Sequence, residues 1–300
     1  MEGQAWLAFS ASQSLSYVTM KRFWGLWGLL FPAGFWLFFF FLLPLGIILV
    51  YSLVERGIYG GIEWVLTWKN YSRAFDPLYI KILWRSLGIA MLTTVLCLAG
   101  GYPLAYFIAS ATAKWKNLLL ILLIIPFWTN FLIRTYAWIV LLQEQGLINS
   151  SLLRFGIIRE PLSLLYNLKA VMLGMTYGYL PFMVLPIYAS LEKLQPALLE
   201  ASMDLGANRM RTFLNVTIPL SAPGIAAGVV LVFVPTIGEF VIPDLLGGAK
   251  SILIGNIISN QFLTARDWPF GAAITCILVV FVLLGLRMFF IFSKNGEFIR

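Results

Sequence analysis

Two ionisable side chains stand inside long apolar stretches of this sequence. Glu239 lies in VPTIGEFVIPDLLGG and Arg134 lies in NFLIRTYAWIV. A charge at the centre of a bilayer costs about 2.5 kcal/mol or more, so such residues mark pathways or ion pairs. Pro235, Gly238 and Pro243 predict an irregular helix around Glu239, of the kind that lines a cavity. We therefore expect Glu239 in a transport pathway, and Arg134 in that pathway, in a structural ion pair or nearer the interface.

Further carboxylates and aromatic rings suit a cationic substrate. Asp244 is expected at the outer mouth of the pathway, and Asp267 offers a third carboxylate. Aromatic faces attract cations by about 0.5–2 kcal/mol each. Rings available for such contacts are those of Trp128, Tyr136, Trp138, Tyr177 and Tyr179. Single aromatic residues in membrane spans more often pack or anchor at the interface, so the set as a whole carries this prediction.

The sequence lacks the groups that enzymes and metal sites commonly use. It contains no histidine, which is the commonest acid–base group near neutral pH and the commonest metal ligand. Cys97 and Cys276 both fall in apolar runs, where cysteine serves as a small packing residue. The stretch 247–251 resembles the end of a phosphate-binding loop but lacks the required glycines and a preceding strand. We predict no catalytic residue, no metal, no cofactor and no ATP site in this chain, and a membrane enzyme is disfavoured.

The elements that position these residues are membrane-spanning helices. Hydrophobic residues make up 60% of the chain and charged residues only 11%, against about a quarter charged in soluble domains. Six apolar runs are long enough to cross a bilayer as helices, at about 20 residues each. They cover roughly residues 26–53, 87–110, 118–142, 170–191, 220–243 and 272–292. The sequence thus predicts an all-α polytopic membrane protein with a single domain over 26–300, after an N-terminal segment 1–25. The first run is interpreted as a retained anchor.

The charged interruption 194–219 predicts two short helices that meet at a turn. Pro196 suits a first helical position, where its missing N–H is not needed. Gly206 allows the first helix to stop and the chain to turn. Asn208 can cap the second helix, which is expected to end against Pro219.

The spacing in this loop resembles a motif of the permease subunits of bacterial ABC importers. That motif is E-A-A, three residues, G, nine residues and I-x-L-P; here the matching positions are Glu200-Ala201-Ser202, Gly206 and Val216-x-Ile218-Pro219. The resemblance implies a type I ABC importer permease fold and a coupling helix that docks on an ATPase subunit. An amphipathic hairpin on the membrane surface is the alternative, but it has no need of the distant V-x-I-P. The implied coupling residues are Glu200, Ala201, Ser202, Asp204, Gly206, Arg209 and Pro219.

Three other segments resemble the spermidine/putrescine importer permeases, specifically the first of their two paired permease subunits. They are Gly238-Glu239-Phe240, Leu246-Gly247-Gly248 and Arg266-Asp267-Trp268-Pro269. The resemblance implies polyamine import, with two copies of an ATP-binding subunit, a second permease subunit and an external substrate-binding protein as partners. The expected substrate-pathway residues are Glu239, Asp244, Arg134, Tyr136, Trp138, Tyr177 and Asp267.

Other functions stay open on the residues alone. The same architecture could carry another small substrate, such as an opine, ferric ion or sulfate, and Arg134 could then serve an anion. A stand-alone secondary transporter would need no ATPase. Nucleic acid is not expected as a partner, because the basic residues are spread over many short loops. The net charge of +8 suits an anionic lipid surface instead.

The orientation in the membrane does not follow from charge counts. An even number of spans places both termini on one side, and ten lysine and arginine residues fall on each side. The basic turn 112–117 and the pair Lys21–Arg22 favour the cytoplasm for the side that holds the termini. The resemblance of the 194–219 loop requires the same side. We expect both termini in the cytoplasm and the chain in a bacterial inner membrane.

Overall fold

The computed structural model describes residues 30–58 and 60–295. The predicted segment 1–25 and the start of the first apolar run lie outside these residues. In the described chain, five helices are long and apolar enough to cross a membrane, or six if one bent helix pair forms a single span. The molecule is an all-α polytopic membrane protein, as predicted, with one small β-ribbon in addition.

The helices follow one another along the chain. They are α1 (Leu30–Ser52), α2 (Lys69–Ala74), α3 (Pro77–Ser110), α4 (Ala113–Ile124), α5 (Phe131–Leu142), α6 (Leu147–Arg154), α7 (Leu168–Leu191), α8 (Pro196–Asp204), α9 (Arg209–Gly238), α10 (Ile254–Leu263) and α11 (Trp268–Asn295). A 3₁₀ turn, Ile125–Trp128, extends α4. A π-helical turn, Pro243–Gly247, follows α9.

A two-stranded antiparallel ribbon joins α1 to α2, and the sequence analysis did not predict it. Its strands are β1 (Val54–Arg56) and β2 (Ile62–Leu66). The amide of Asn70 donates hydrogen bonds to the carbonyls of Ser52 at 3.2 Å and Val54 at 2.8 Å, so α2 ties the ribbon to the end of α1. The β-forming run IEWVL was the available signal, but interfacial tryptophans explained it equally well.

Helix α7 is the centre of the bundle and packs most extensively against α3 and α9. Small residues of α9 allow close contact. A Cβ at Gly228 would lie 2.7 Å from the Met183 sulfur, and one at Gly224 would lie 2.5 Å from the Pro186 carbonyl oxygen. Such approaches bring helix backbones together in membranes, where packing rather than water drives association. Val232 is fully buried in the same contact.

Two breaks interrupt the predicted spans. The run 118–142 is divided into α4 and α5, which are bent by 92° where the 3₁₀ turn ends. Pro126 lacks an N–H for a regular helix, and the Asn130 side chain accepts from the Leu132 N–H at 2.8 Å to start the new one. The run 220–243 breaks after Gly238, where Glu239 adopts an extended conformation.

The second helix of the 194–219 loop does not end at Pro219, contrary to the prediction. Arg209–Gly238 is one continuous helix that contains a π-helical stretch, Phe213–Thr217. The Ile218 N–H donates to the Phe213 carbonyl, five residues back. A π-helical turn holds one residue more than an α-helical turn, so the hydrogen-bond pattern shifts just before Pro219. The helix can therefore continue through Pro219, although proline has no N–H to donate.

Candidate functional site

Glu239 lies at the break between α9 and the π-helical turn that follows it. One carboxylate oxygen, Oε1, accepts from the N–H groups of Val241 at 2.9 Å and Ile242 at 3.3 Å. The other, Oε2, accepts from the Tyr179 hydroxyl of α7 at 2.6 Å. The side chain therefore caps the segment after the break and fastens it to the central helix. The ion pairs seen among the described side chains do not include it.

The start of α10 supports this break from one side. Gly255 is buried, and a Cβ there would lie 2.5 Å from the Gly238 carbonyl oxygen. The next side chain, Asn256, donates to the Phe240 carbonyl at 2.8 Å and to an oxygen of Asp244 at 3.4 Å. Asp244 is exposed, so the structure brings a second carboxylate to the segment that Glu239 caps.

A second group of predicted residues gathers between α5, α7 and the π-helical turn. Arg134, Trp138 and Tyr177 line a cavity of about 10 Å³, which has room for roughly one water molecule. The rings of Trp138 and Tyr177 meet edge to face at 5.4 Å. The guanidinium of Arg134 lies 4.5 Å from the Phe127 ring centre, a cation–π contact. Its Nε and Nη1 atoms are buried and have no hydrogen-bond partner in the described part of the chain.

An aromatic row connects the two groups. The ring of Tyr179 lies 6.3 Å from that of Phe182, which meets Phe127 edge to face at 5.7 Å. Phe127 belongs to the 3₁₀ turn at the first break and contacts Arg134. The two helix breaks are therefore linked through side chains on one face of α7.

Two predicted pathway residues have surroundings different from those expected. Asp267 is 1% exposed, and its Oδ2 accepts from Arg73 at 2.7 Å while its Oδ1 caps the Phe270 N–H at 3.2 Å. The Asp267 carboxylate therefore caps the first turn of α11 and joins α11 to α2. Tyr136 is 55% exposed and lies outside the cavity that Arg134 lines.

The 194–219 loop forms the helix pair that its sequence predicts. Gly206 ends α8 with φ of 86°, and the Asn208 side chain caps α9 by accepting from the Arg211 N–H at 2.9 Å. The hydroxyls of Ser202 and Thr212 are 3.1 Å apart and close the pair. The remaining coupling candidates on its surface, Glu200, Ala201, Asp204 and Arg209, are exposed.

The helix pair is fixed to the bundle by aromatic and ionic contacts. The Phe213 ring meets the edges of Tyr102 and Tyr106 of α3 at 5.7 and 5.5 Å. Glu192, just before the loop, forms an ion pair of 2.8 Å with Lys116 of α4. The hydrogen bond from Lys116 lowers the pKa of the Glu192 carboxyl below its usual value.

Sequence reasoning missed the partners of Glu239. Tyr179 was considered only as one aromatic face among several, and Gly255 and Asn256 were not considered. A tyrosine 60 positions earlier carries no local sign that its hydroxyl meets a carboxylate. Gly255-Asn256 at the start of an apolar helix was the one local signal, because this pair suits a helix start close to another backbone.

Comparisons with known proteins show the family of this chain. Residues 101–295 match the family described as binding-protein-dependent transport system inner membrane component. The spermidine/putrescine transport system permease protein PotB of Escherichia coli (strain K12) is 46% identical over 259 residues, which cover 86% of this chain and 94% of that protein. Its namesake from Haemophilus influenzae is 43% identical over 260 residues, covering 87% and 90%.

Solved structures with a similar fold are more distant in sequence. A chain of a bacterial alginate ABC transporter, solved in complex with an alginate pentasaccharide-bound periplasmic protein, matches with a TM-score of 0.74 at 17% identity, over 94% of this chain and 98% of that one. A chain of the inward-facing MetNI methionine ABC transporter matches with a TM-score of 0.52 at 16% identity, over 74% and 96%. From the family match and the identity to these relatives, the chain belongs to the family of inner membrane components of binding-protein-dependent transport systems.

Proposed function

We propose that this chain is a permease subunit of an ATP-driven importer that translocates polyamines delivered by an external binding protein. The observation that carries the proposal is Glu239, a carboxylate at a helix break whose protein partners are all neutral donors. The donors seen on this carboxylate bring no positive charge, and a polyamine ammonium would supply one. The similarity to the PotB proteins, named for spermidine and putrescine transport, supports this cargo.

The pathway would use the carboxylates near the break and the aromatic pair beside it. Asp244 is exposed on the same segment as Glu239 and would attract ammonium groups toward it. Trp138 and Tyr177 offer ring faces next to that segment, whose Ile242 also lines their cavity. Asp267 is satisfied by Arg73, so we assign it to folding rather than to the cargo.

The partners would be two ATP-binding subunits, a second permease subunit and the binding protein. Helix α8 and its turn would dock on an ATP-binding subunit, because apolar side chains stand exposed on them beside the charged ones. Leu205 is 89% exposed and Met210 63%. This docking requires the 194–219 loop, and with it both termini, on the cytoplasmic side of the inner membrane.

Uptake by the reconstituted complex tests the proposal. Proteoliposomes that hold the full complex and its binding protein should accumulate radiolabelled spermidine and putrescine when ATP is enclosed. Glu239→Gln keeps the size of the side chain and an oxygen for the N–H groups of Val241 and Ile242, but removes the charge, and it should abolish uptake. Glu63→Gln, an exposed carboxylate of the ribbon, is the matched control. An intact complex that hydrolyses ATP yet imports neither polyamine would refute this cargo.

One observation favours an anionic cargo as the second candidate. The buried Nε and Nη1 atoms of Arg134 have no acceptor among the described residues, and an anion would satisfy them. A polyamine cannot, because its ammonium groups are donors only. Substitution of Arg134 therefore separates the two cargo classes, as argued in the Discussion.

A further inference from the structure

We infer that the position of the Tyr179 hydroxyl, 2.6 Å from Glu239 Oε2, is the binding site for one ammonium group of the substrate, and that the substrate displaces this hydroxyl when it binds. The inference rests on the proposed function and adds an occupant and a competitor to the Glu239 site. Tyr179 is thereby a positioning residue that opposes binding rather than a ligand.

The two carboxylate oxygens of Glu239 have different tasks. Oε1 accepts from two backbone N–H groups, Val241 and Ile242, and so caps the segment after the break. Oε2 accepts from Tyr179. A ligand can therefore replace the hydroxyl at Oε2 while the cap at Oε1 stays intact. The geometry separates a structural half of the carboxylate from an exchangeable half.

An alkyl ammonium is the donor that would win this exchange. It carries three N–H donors and a full positive charge, whereas the tyrosine hydroxyl offers one neutral donor. The hydrogen bond from Tyr179 is already charge-assisted, because its acceptor is ionised, but an ammonium adds the attraction of a full opposite charge. The ion pairs seen among the described side chains do not involve Glu239. The hydroxyl thus holds the place of the substrate at Oε2 with a single donor that brings no positive charge.

The Tyr179 hydroxyl can move away from Glu239 while its ring stays packed in the bundle. Its ring packs on Phe182 and against two clusters of buried apolar residues, one around Met175 and one around Met183 of α7. Pro181, two residues further on, lacks the N–H that would bond the Tyr177 carbonyl, so this turn of α7 has one hydrogen bond fewer to resist a small shift. After displacement the ring face would remain beside the ammonium as a cation–π contact.

The direction in which one substitution changes the affinity for spermidine shows whether the Tyr179 hydroxyl is a displaced competitor or a ligand. Tyr179→Phe keeps the ring and removes the hydroxyl, so the substrate no longer competes for Oε2. The dissociation constant of spermidine for the purified complex in nanodiscs, without binding protein, should fall about tenfold or more, the equivalent of one hydrogen bond to a charged group. A ligand would show the opposite change. Tyr102→Phe is the control, because it removes another half-buried tyrosine hydroxyl, bonded to Ser221 at 3.0 Å, away from this site.

Two further measurements complete the test. Tyr179→Met should tighten spermidine binding in the same direction if the phenylalanine variant does not assemble. A bis-quaternary diamine has no N–H donor, so its affinity should gain nothing from either change. If the wild-type complex imports spermidine and the Tyr179 variants bind it no more tightly, the displacement inference is wrong and the proposed function stands. If the wild-type complex neither binds nor imports polyamines, both are wrong.

Discussion

A Cβ atom at Gly255 would lie 2.7 Å from the backbone carbonyl oxygen of Glu239. Helix α10 therefore begins directly against the helix break, and no side chain separates the two backbones. Asn256, the next residue, donates to the Phe240 carbonyl at 2.8 Å and locks the contact. The position of the Glu239 carboxylate thus depends on a helix that comes after it in the chain, as well as on Tyr179 before it.

Gly255→Ala should displace the break and impair transport. The clashing atoms are backbone atoms of Gly238 and Glu239, which no side-chain rotation can relieve. Overpacking of this kind costs about 1–3 kcal/mol, so we expect spermidine uptake to fall by about tenfold. Gly88→Ala is the matched control, because a Cβ there meets nothing within 4 Å. Equal uptake by both variants would show that α10 does not position Glu239.

Sequence reasoning succeeded where the determinants are local. The turn at Gly206 and the cap at Asn208 follow from residue types within one helical turn of each other, and both are present. Long apolar runs likewise predict membrane-spanning helices. The continuation through Pro219 was missed because a π-helical turn has no sequence signature of its own. The partnership of Tyr179 with Glu239 arises from how α7 packs, which residue spacing cannot show.

Asp267 should matter for stability rather than for cargo. Asp267→Asn keeps an oxygen to cap the Phe270 N–H but removes the ion pair with Arg73, whereas Asp267→Ala removes both. We expect a larger drop in the unfolding temperature of the complex for alanine than for asparagine, with about 1 kcal/mol attributable to the cap. The spermidine dissociation constant should stay at the wild-type value. A tenfold weaker affinity without loss of stability would return Asp267 to the pathway.

Gly206 should be required for coupling to ATP hydrolysis because of its backbone conformation. Its φ of 86° is strained for a β-branched residue by about 1–3 kcal/mol, whereas asparagine tolerates the left-handed region better. Gly206→Val should therefore reduce the ATPase activity that the loaded binding protein stimulates, and Gly206→Asn should retain most of it. If valine has no effect on stimulated ATPase activity or uptake, the turn after α8 does not transmit motion.

The ion pair of Glu192 with Lys116 predicts a small pH dependence of stability. The hydrogen bond from Lys116 lowers the pKa of Glu192 below its ordinary value of 4.5. A lowered carboxyl pKa means that the pair stabilises the folded chain above that ordinary value and loses this effect as the pH falls through the folded-state pKa. The Glu192 carboxylate is partly exposed, so solvent screens the pair and its contribution to stability is small. The difference in thermal stability between wild type and Glu192→Gln should be present at pH 6 and shrink as the pH falls below 4.5. A difference that is constant over this range would contradict the assignment.

Arg134 decides between a cationic and an anionic cargo. Its guanidinium packs on Phe127, and its buried Nε and Nη1 atoms lack acceptors within the described residues. Arg134→Met keeps a long side chain against that ring and removes the charge.

For a polyamine importer the change removes a repulsive cation near the pathway, so spermidine affinity should be unchanged or slightly tighter. Replacement of a guanidinium whose buried Nε and Nη1 atoms lack acceptors by an apolar side chain should also leave stability equal or higher. For an anion importer the same variant should lose substrate binding, while Arg134→Lys should retain part of it. Measurement of spermidine and sulfate binding to the wild-type, methionine and lysine complexes, side by side, therefore assigns the cargo class from one substitution site.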